Sequence, residues 1–185
     1  MTTARKSQRK NGSAAPRDDV DIPLARDEFA CALTGDLSET LQDVVGVEEA
    51  SGFMSIVGAR TGDRINALYR DAHGVERLDR NSVVAVYVDL SHRIGGDFYV
   101  IEQTPDRVVL GNRKCPFGRH AEGRPSLCMM TSNVFGRIAA ENLGYSRVRL
   151  DEAIARGDAG CRVVVDFRPV EKPGDDEREY FRTET

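Results

Sequence analysis

The chain has 185 residues, of which 40% are hydrophobic and 30% charged, and its formal net charge is -4. That length suits one domain with tails and a real core. The acidic balance does not favour nucleic acid as a partner, and no apolar run approaches the about 20 residues needed to cross a bilayer. The N-terminus is basic but lacks an apolar stretch behind it, so a cytoplasmic protein is expected rather than a secreted one. In a reducing compartment the four cysteines are expected as free, metal-bound or redox-active thiols rather than as structural disulfides.

Residues 1–20 hold Arg5, Lys6, Arg9 and Lys10 among small polar residues. Such a segment has too little apolar surface to offset its ordering entropy, so a disordered basic tail is predicted. Residues 21–168 read as a single sensory or output domain. Residues 169–185, rich in Asp and Glu, read as an acidic flexible tail.

In the first helix Phe29, Leu33, Leu37, Leu41 and Val45 recur every four residues, which predicts one buried face, and Gly46 supplies a stop. A second helix is predicted over residues 48–70, with Phe53, Val57, Ile65 and Leu68 as its apolar side. Gly58 and Gly62 on that helix would let another backbone approach closely. A third helix is predicted to start near Asn81 or Ser82, to bury Val83, Val86, Tyr87, Leu90 and Ile94, and to end at Gly95-Gly96.

The period then changes. Residues 98–101 and 107–110 are β-rich and flank Thr104-Pro105-Asp106, which predicts a hairpin. After a loop carrying Cys115-Pro116-Phe117-Gly118, a fourth helix is expected over 126–143. Two strands, at 146–150 and 161–168, complete the chain. The fold class is therefore α+β, with N-terminal helices packed on a mainly antiparallel sheet of about four strands.

Cys115, Cys128 and Cys161 are the sharpest chemical feature. They fall after a strand, at a helix start and at a strand start, positions that can converge on one edge of a sheet. Three soft thiolates suit a metal ion, zinc or iron, or an iron–sulfur cluster. His120 is the candidate fourth ligand. The partial positive charge of the helix N-terminus would also favour a Cys128 thiolate. Arg60 and Arg64, four apart, and Asn112, beside Cys115, are candidate ligand-binding residues. Packing is the plain alternative: Cys161 alternates with Val163 and Val165, and free cysteine packs as a small hydrophobe. Cys31 reads as structural.

The stretches NRKCPFG (112–118), LCMMTSNVFGRIAAENLG (127–144) and IARGDAGCRVVV (154–165) resemble the methanogen output domain family, as does VVAVYVDLSHRIGGDFYV (83–100). The resemblance implies an output or sensory module in signal transduction. The same blocks are more loosely similar to the iron–sulfur sensor domains of winged-helix repressors and to 4-vinyl-reductase-like domains. The likeness to the repressors would put cluster ligands on Cys115, Cys128 and Cys161. No DNA-reading winged helix precedes the domain, which argues against direct gene repression.

Three functions follow. The first is a non-enzymatic sensory or regulatory domain that binds a metal or cluster through its cysteines. The second is a metal-free module for a small apolar ligand, held between the second helix and the sheet. The third is a thiol-dependent enzyme with Cys128 as nucleophile. The expected partners are a small-molecule or metal effector and either another protein or a second copy of the chain.

Overall fold

The computed structural model describes residues 25–169 and 177–183. The basic tail expected over 1–20 lies outside them. Among the described residues there are four helices, α1 (Arg26–Val45), α2 (Val47–His73), α3 (Arg80–Arg93) and α4 (Cys128–Leu143). The strands are β1 (Phe98–Gln103), β2 (Arg107–Asn112), β3 (Tyr145–Glu152), β4 (Cys161–Asp166) and β5 (Glu177–Phe181). They form one antiparallel sheet in the order β1-β2-β4-β3-β5. The architecture is α+β, as the change of period predicts.

Alternation along each strand makes the inner layer of the core. Val108, Val165 and Val148 lie side by side in register on β2, β4 and β3, and Leu110, Val163 and Leu150 form the next row. Against them pack Val83, Val86, Tyr87 and Leu90 of α3 and Val134, Phe135 and Ile138 of α4. The Tyr87 and Phe135 rings stack 4.3 Å apart, and Phe98 meets Phe135 edge to face at 5.2 Å. The Tyr87 hydroxyl, buried with its ring, donates to the Phe135 carbonyl at 2.8 Å, which satisfies the polar end of the ring. The N-cap of helix α3 is Asp79, two or three residues before the expected Asn81 or Ser82, its Oδ1 accepting from the Ser82 amide at 2.7 Å.

The third layer departs from the sequence expectation. Phe29, Leu33, Leu37 and Val45 of α1 were to be its buried face, yet they are 55%, 49%, 57% and 38% exposed. The contact face carries Gly35 and Ser38 instead. Ser38 Oγ lies 2.6 Å from Ser126 Oγ, and a Cβ on Gly35 would meet His120 Cβ at 3.0 Å. The same inversion occurs in α2. Phe53, Val57 and Leu68 are exposed, and the buried side is Ala50, Met54, Gly58, Gly62 and Asn66, spaced four apart. Small residues bring the backbones of α2 and α4 together. A Cβ on Gly58 would lie 2.9 Å from the Met130 carbonyl, and one on Gly62 would lie 3.1 Å from Val134 Cα. The close approach expected of these two glycines is thus made, and the two helices run parallel. Further along, Asn142 Nδ2 donates to Asn66 Oδ1 at 2.6 Å while its Oδ1 accepts from the Leu78 amide at 2.8 Å. This buried pair fixes the register of the two helices.

The acidic tail expected to be flexible from residue 169 is, over Glu177–Phe181, the edge strand β5 paired with β3. The physical reason is a buried cation. Arg147 is 3% exposed in its side chain and sits between Asp166 and Glu177, at 2.8 Å from each. An unpaired buried guanidinium would be costly, so Glu177 is held. Tyr180 then covers α4, its ring over Gly136 and its hydroxyl 3.0 Å from Ser132 Oγ. This strand brings the sheet to five where about four were expected.

These contacts fix the sign of three glycine substitutions. Gly58→Ala and Gly136→Ala are each expected to cost about 1–3 kcal/mol, as overpacked sites do. Gly52→Ala, where an added Cβ meets nothing within 4 Å, is expected to raise stability by about 0.5–1 kcal/mol. Urea denaturation at constant m-value checks all three.

Candidate functional site

The loop after β2 turns tightly at Cys115, whose carbonyl accepts from the Gly118 amide at 2.9 Å. Cys128 is the first residue of α4, reached through a 3₁₀ turn at Pro125–Leu127. Cys161 opens β4, opposite Asn112. These three thiols line one cavity of about 30 Å³ at the end of the sheet. The convergence expected from strand end, helix start and strand start is therefore present. The strand approach depends on Gly160, where a Cβ would stand 2.9 Å from the Asn112 carbonyl.

The other lining residues are mostly hydrocarbon, among them Phe98, Phe117, Leu127, Ile154 and Val163. Burial pushes the Cys115 thiol up to about 11 and the Cys128 thiol up to about 12. The helix N-terminus was expected to favour a Cys128 thiolate, but loss of hydration outweighs it. This is the opposite of what a nucleophilic cysteine needs. A metal also requires the thiolate. Among the described residues no three His, Cys, Asp or Glu side chains are placed to hold a metal ion.

The remaining candidates fall in different places. His120 does not line the thiol cavity: its Nε2 lies 3.0 Å from Glu28 Oε1 on α1. Hydrogen bonds from His120 and Arg119 hold the Glu28 carboxyl below its usual range. Asn112 does line the cavity, but its polar atoms are engaged. Oδ1 accepts from the amides of Asp97 and Lys114 at 3.1 and 3.3 Å, and Nδ2 points at Cys161 Sγ at 3.8 Å. It organises the loop and the strand end. Arg60 and Arg64 lie on the exposed side of α2, away from the cavity. Cys31, read as structural, points its thiol at the Pro116 carbonyl at 3.6 Å and so ties α1 to the loop.

A second cavity abuts the first; an apolar-ligand site was expected between the second helix and the sheet, and this one is walled chiefly by helices, with Phe98 of β1 at its sheet side. It measures about 150 Å³ and lies between α2, α3 and α4, lined by Thr61, Ile65, Leu90, Ile94, Met130 and Val134 among others. Phe98, Pro116, Phe117 and Thr131 line both cavities and form the partition between them. The smaller one has room for a single water-sized group, whereas an apolar cavity of about 150 Å³ takes up benzene. The signal for it lay in Gly58 and Gly62. Where α2 touches α4 through glycine, the larger side chains on either side of the contact hold open a space.

The thiol environment predicts slow alkylation. At pH 8, Cys115 and Cys128 are expected to react with iodoacetamide well below the rate of a free thiol, and Cys128 labelling in the native protein should keep rising about tenfold per pH unit beyond pH 9, with no plateau in the ordinary thiol range. Both thiols are raised in the folded state. Stability attributable to them is thus intact below the ordinary thiol range and declines as pH climbs from about 9 toward 12. Peptide-resolved mass spectrometry and pH-dependent melting measure the two effects.

Comparison with known proteins bears on this geometry. The phenol-responsive sensory domain of the transcription activator PoxR, crystallised with phenol, is similar at a TM-score of 0.61 and 16% identity, over 74% of this chain and 73% of that one. A trafficking protein particle complex subunit 3 from Naegleria fowleri, covalently bound to palmitic acid, is similar at a TM-score of 0.57 and 14% identity, over 85% of this chain and 98% of that one. At these identities the likeness is one of fold. No curated protein matches the chain. Residues 34–166 match the methanogen output domain 1 family, so the chain belongs to that family.

Proposed function

We propose that this domain is a sensory module that binds a small apolar molecule, about one ring in size, in the cavity between α2, α3 and α4. The observation that carries the reading is that cavity itself, about 150 Å³ and lined by Ile65, Leu90, Ile94, Phe98, Val134 and Phe135. Its lining is almost wholly apolar, and filling it with hydrocarbon is favourable. The fold likeness to a phenol-responsive sensory domain supports the reading. Membership of an output-domain family supports a regulatory role. Ser91 also lines the cavity, its Oγ accepting from the Phe98 amide at 3.0 Å. A purely apolar guest, or one whose hydroxyl reaches Thr61 or Thr131, suits the lining best. Among the described residues no helix is long and apolar enough to cross a membrane.

A second reading keeps the same place in the fold and changes the occupant. The convergence of Cys115, Cys128 and Cys161 on one cavity supports a metal ion or an iron–sulfur cluster. That reading requires the three thiols to ionise and draw together, with the partition at Phe117 moving aside. Anaerobic purification with metal analysis and visible absorbance separates the two. A stoichiometric metal lost on Cys128→Ser favours the second reading.

Phenol tests the first. Ligand that binds only the folded state raises the melting temperature in proportion to its saturation. A saturable rise is expected with phenol or toluene, abolished by Thr61→Phe, which fills the cavity, and retained in Cys115→Ser. No rise with any single-ring compound at concentrations that leave the fold intact would sink the proposal.

A further inference from the structure

The apolar residues that α2 turns outward are left uncovered by the described part of the chain. Along one side of this helix lie Glu49, Phe53, Ile56, Val57, Arg60 and Arg64, all exposed. At 3.6 residues per turn these six fall within an arc of about 100°. Phe53, Ile56 and Val57 are 52%, 55% and 46% exposed. The three charged residues have no ion-pair partner among the described residues. Arg60 and Arg64 are like charges one turn apart, an arrangement that is mildly unfavourable on an isolated helix.

The order of these residues is self-complementary. We propose that the chain forms a two-fold homodimer through this face, with two copies of α2 antiparallel and the axis passing between Ile56 and Val57. Ile56 of one copy then meets Val57 of the other. Equal steps outward set Phe53 against Arg60, a cation over an aromatic face. The next equal step sets Glu49 against Arg64. Every contact occurs twice, as a two-fold interface requires. Acid sits at one end of the stripe and base at the other, with hydrocarbon between. A parallel pairing would set acid on acid and base on base. The charge order thus selects both the partner, a second copy, and its direction.

Sedimentation of the full-length chain over about 1–100 µM gives the association constant by mass action. A dimer is expected. Glu49→Arg and Arg64→Glu should each weaken association by more than about tenfold, because each substitution places like charges together at two symmetric positions. The double substitution restores opposite charges and should recover wild-type association. Val57→Cys, beside the axis, should give a disulfide-linked dimer on mild oxidation that the wild-type chain does not form. These positions are exposed, so unchanged far-UV circular dichroism is expected throughout. A wild-type chain that stays monomeric across the range overturns the proposal and leaves the face to residues 1–24 or to another protein. A dimer indifferent to both single charge reversals and to Ile56→Asp also overturns it.

Discussion

The contact between α2 and α4 at Gly58 and Gly62 is the constraint on which the rest of the molecule depends. Two helices meet backbone to backbone only where neither carries a Cβ in the way, and here the space left for one is 2.9 Å from a carbonyl oxygen at Gly58. Placing the small residues of α2 inward has three consequences. It holds α2 parallel to α4, in a register locked by Asn66 and Asn142. It leaves a gap beside the contact, bordered by Thr61 and Ile65, that the side chains of α3 and α4 do not fill. It also turns Phe53, Ile56 and Val57 toward solvent. Site and surface are thus two results of one packing choice.

The chemistry at the end of the sheet follows from solvent exclusion. Three thiols meet there, yet hydrocarbon surrounds them and the N-terminus of α4 does not compensate for lost hydration. A helix end contributes about 0.3–1 kcal/mol in ordinary surroundings, whereas burial of an ionised group costs several. The Cys115 and Cys128 thiols are therefore protonated, apolar walls in this state. They are also soft and polarisable, which suits contact with an aromatic edge. Phe117, which follows Cys115-Pro116, stands between the thiol cavity and the larger one. Any change that ionised the thiols would alter the wall of the neighbouring site through this shared partition.

Much of this was legible in the sequence, and the failures have specific causes. The apolar runs of β2 and β4 and the stripe of α3 from Val83 to Leu90 located the core, although Ile94, expected to be buried with that stripe, is exposed. The cysteine convergence was readable because strand ends and helix starts are fixed by topology. The third layer was misread because α1 and α2 each carry two four-residue series, one of large apolar residues and one of small ones. Periodicity reports that a series exists, and it does not say which series faces the protein. Gly58 and Gly62 held the answer, since a helix interior tolerates glycine mainly where another backbone needs the room. Strand β5 was hidden by its composition. Glu177 and Glu179 read as solvated charge, and only the placement of Arg147 under the sheet's polar face gives Glu177 a reason to be ordered.

The two proposals, though independent in their tests, share α2. Thr61 and Ile65 border the cavity while Arg60 and Arg64 face outward one residue before each of them. A ligand shifts an equilibrium only by its differential affinity for the two states. For this fold the states would differ in how α2 sits on α4, since that contact borders the cavity and carries the outer face. Glycine contacts leave little slack for rotation: a turn of α2 would drive Met54 or Ile65 into the space now occupied by backbone. Sliding along the helix axis is opposed by the Asn66–Asn142 hydrogen bond. Coupling between an apolar guest and a second copy would therefore act through the stiffness of this helix pair. A guest that fills the gap makes the pair harder to open, and the surface that the pair presents more persistent.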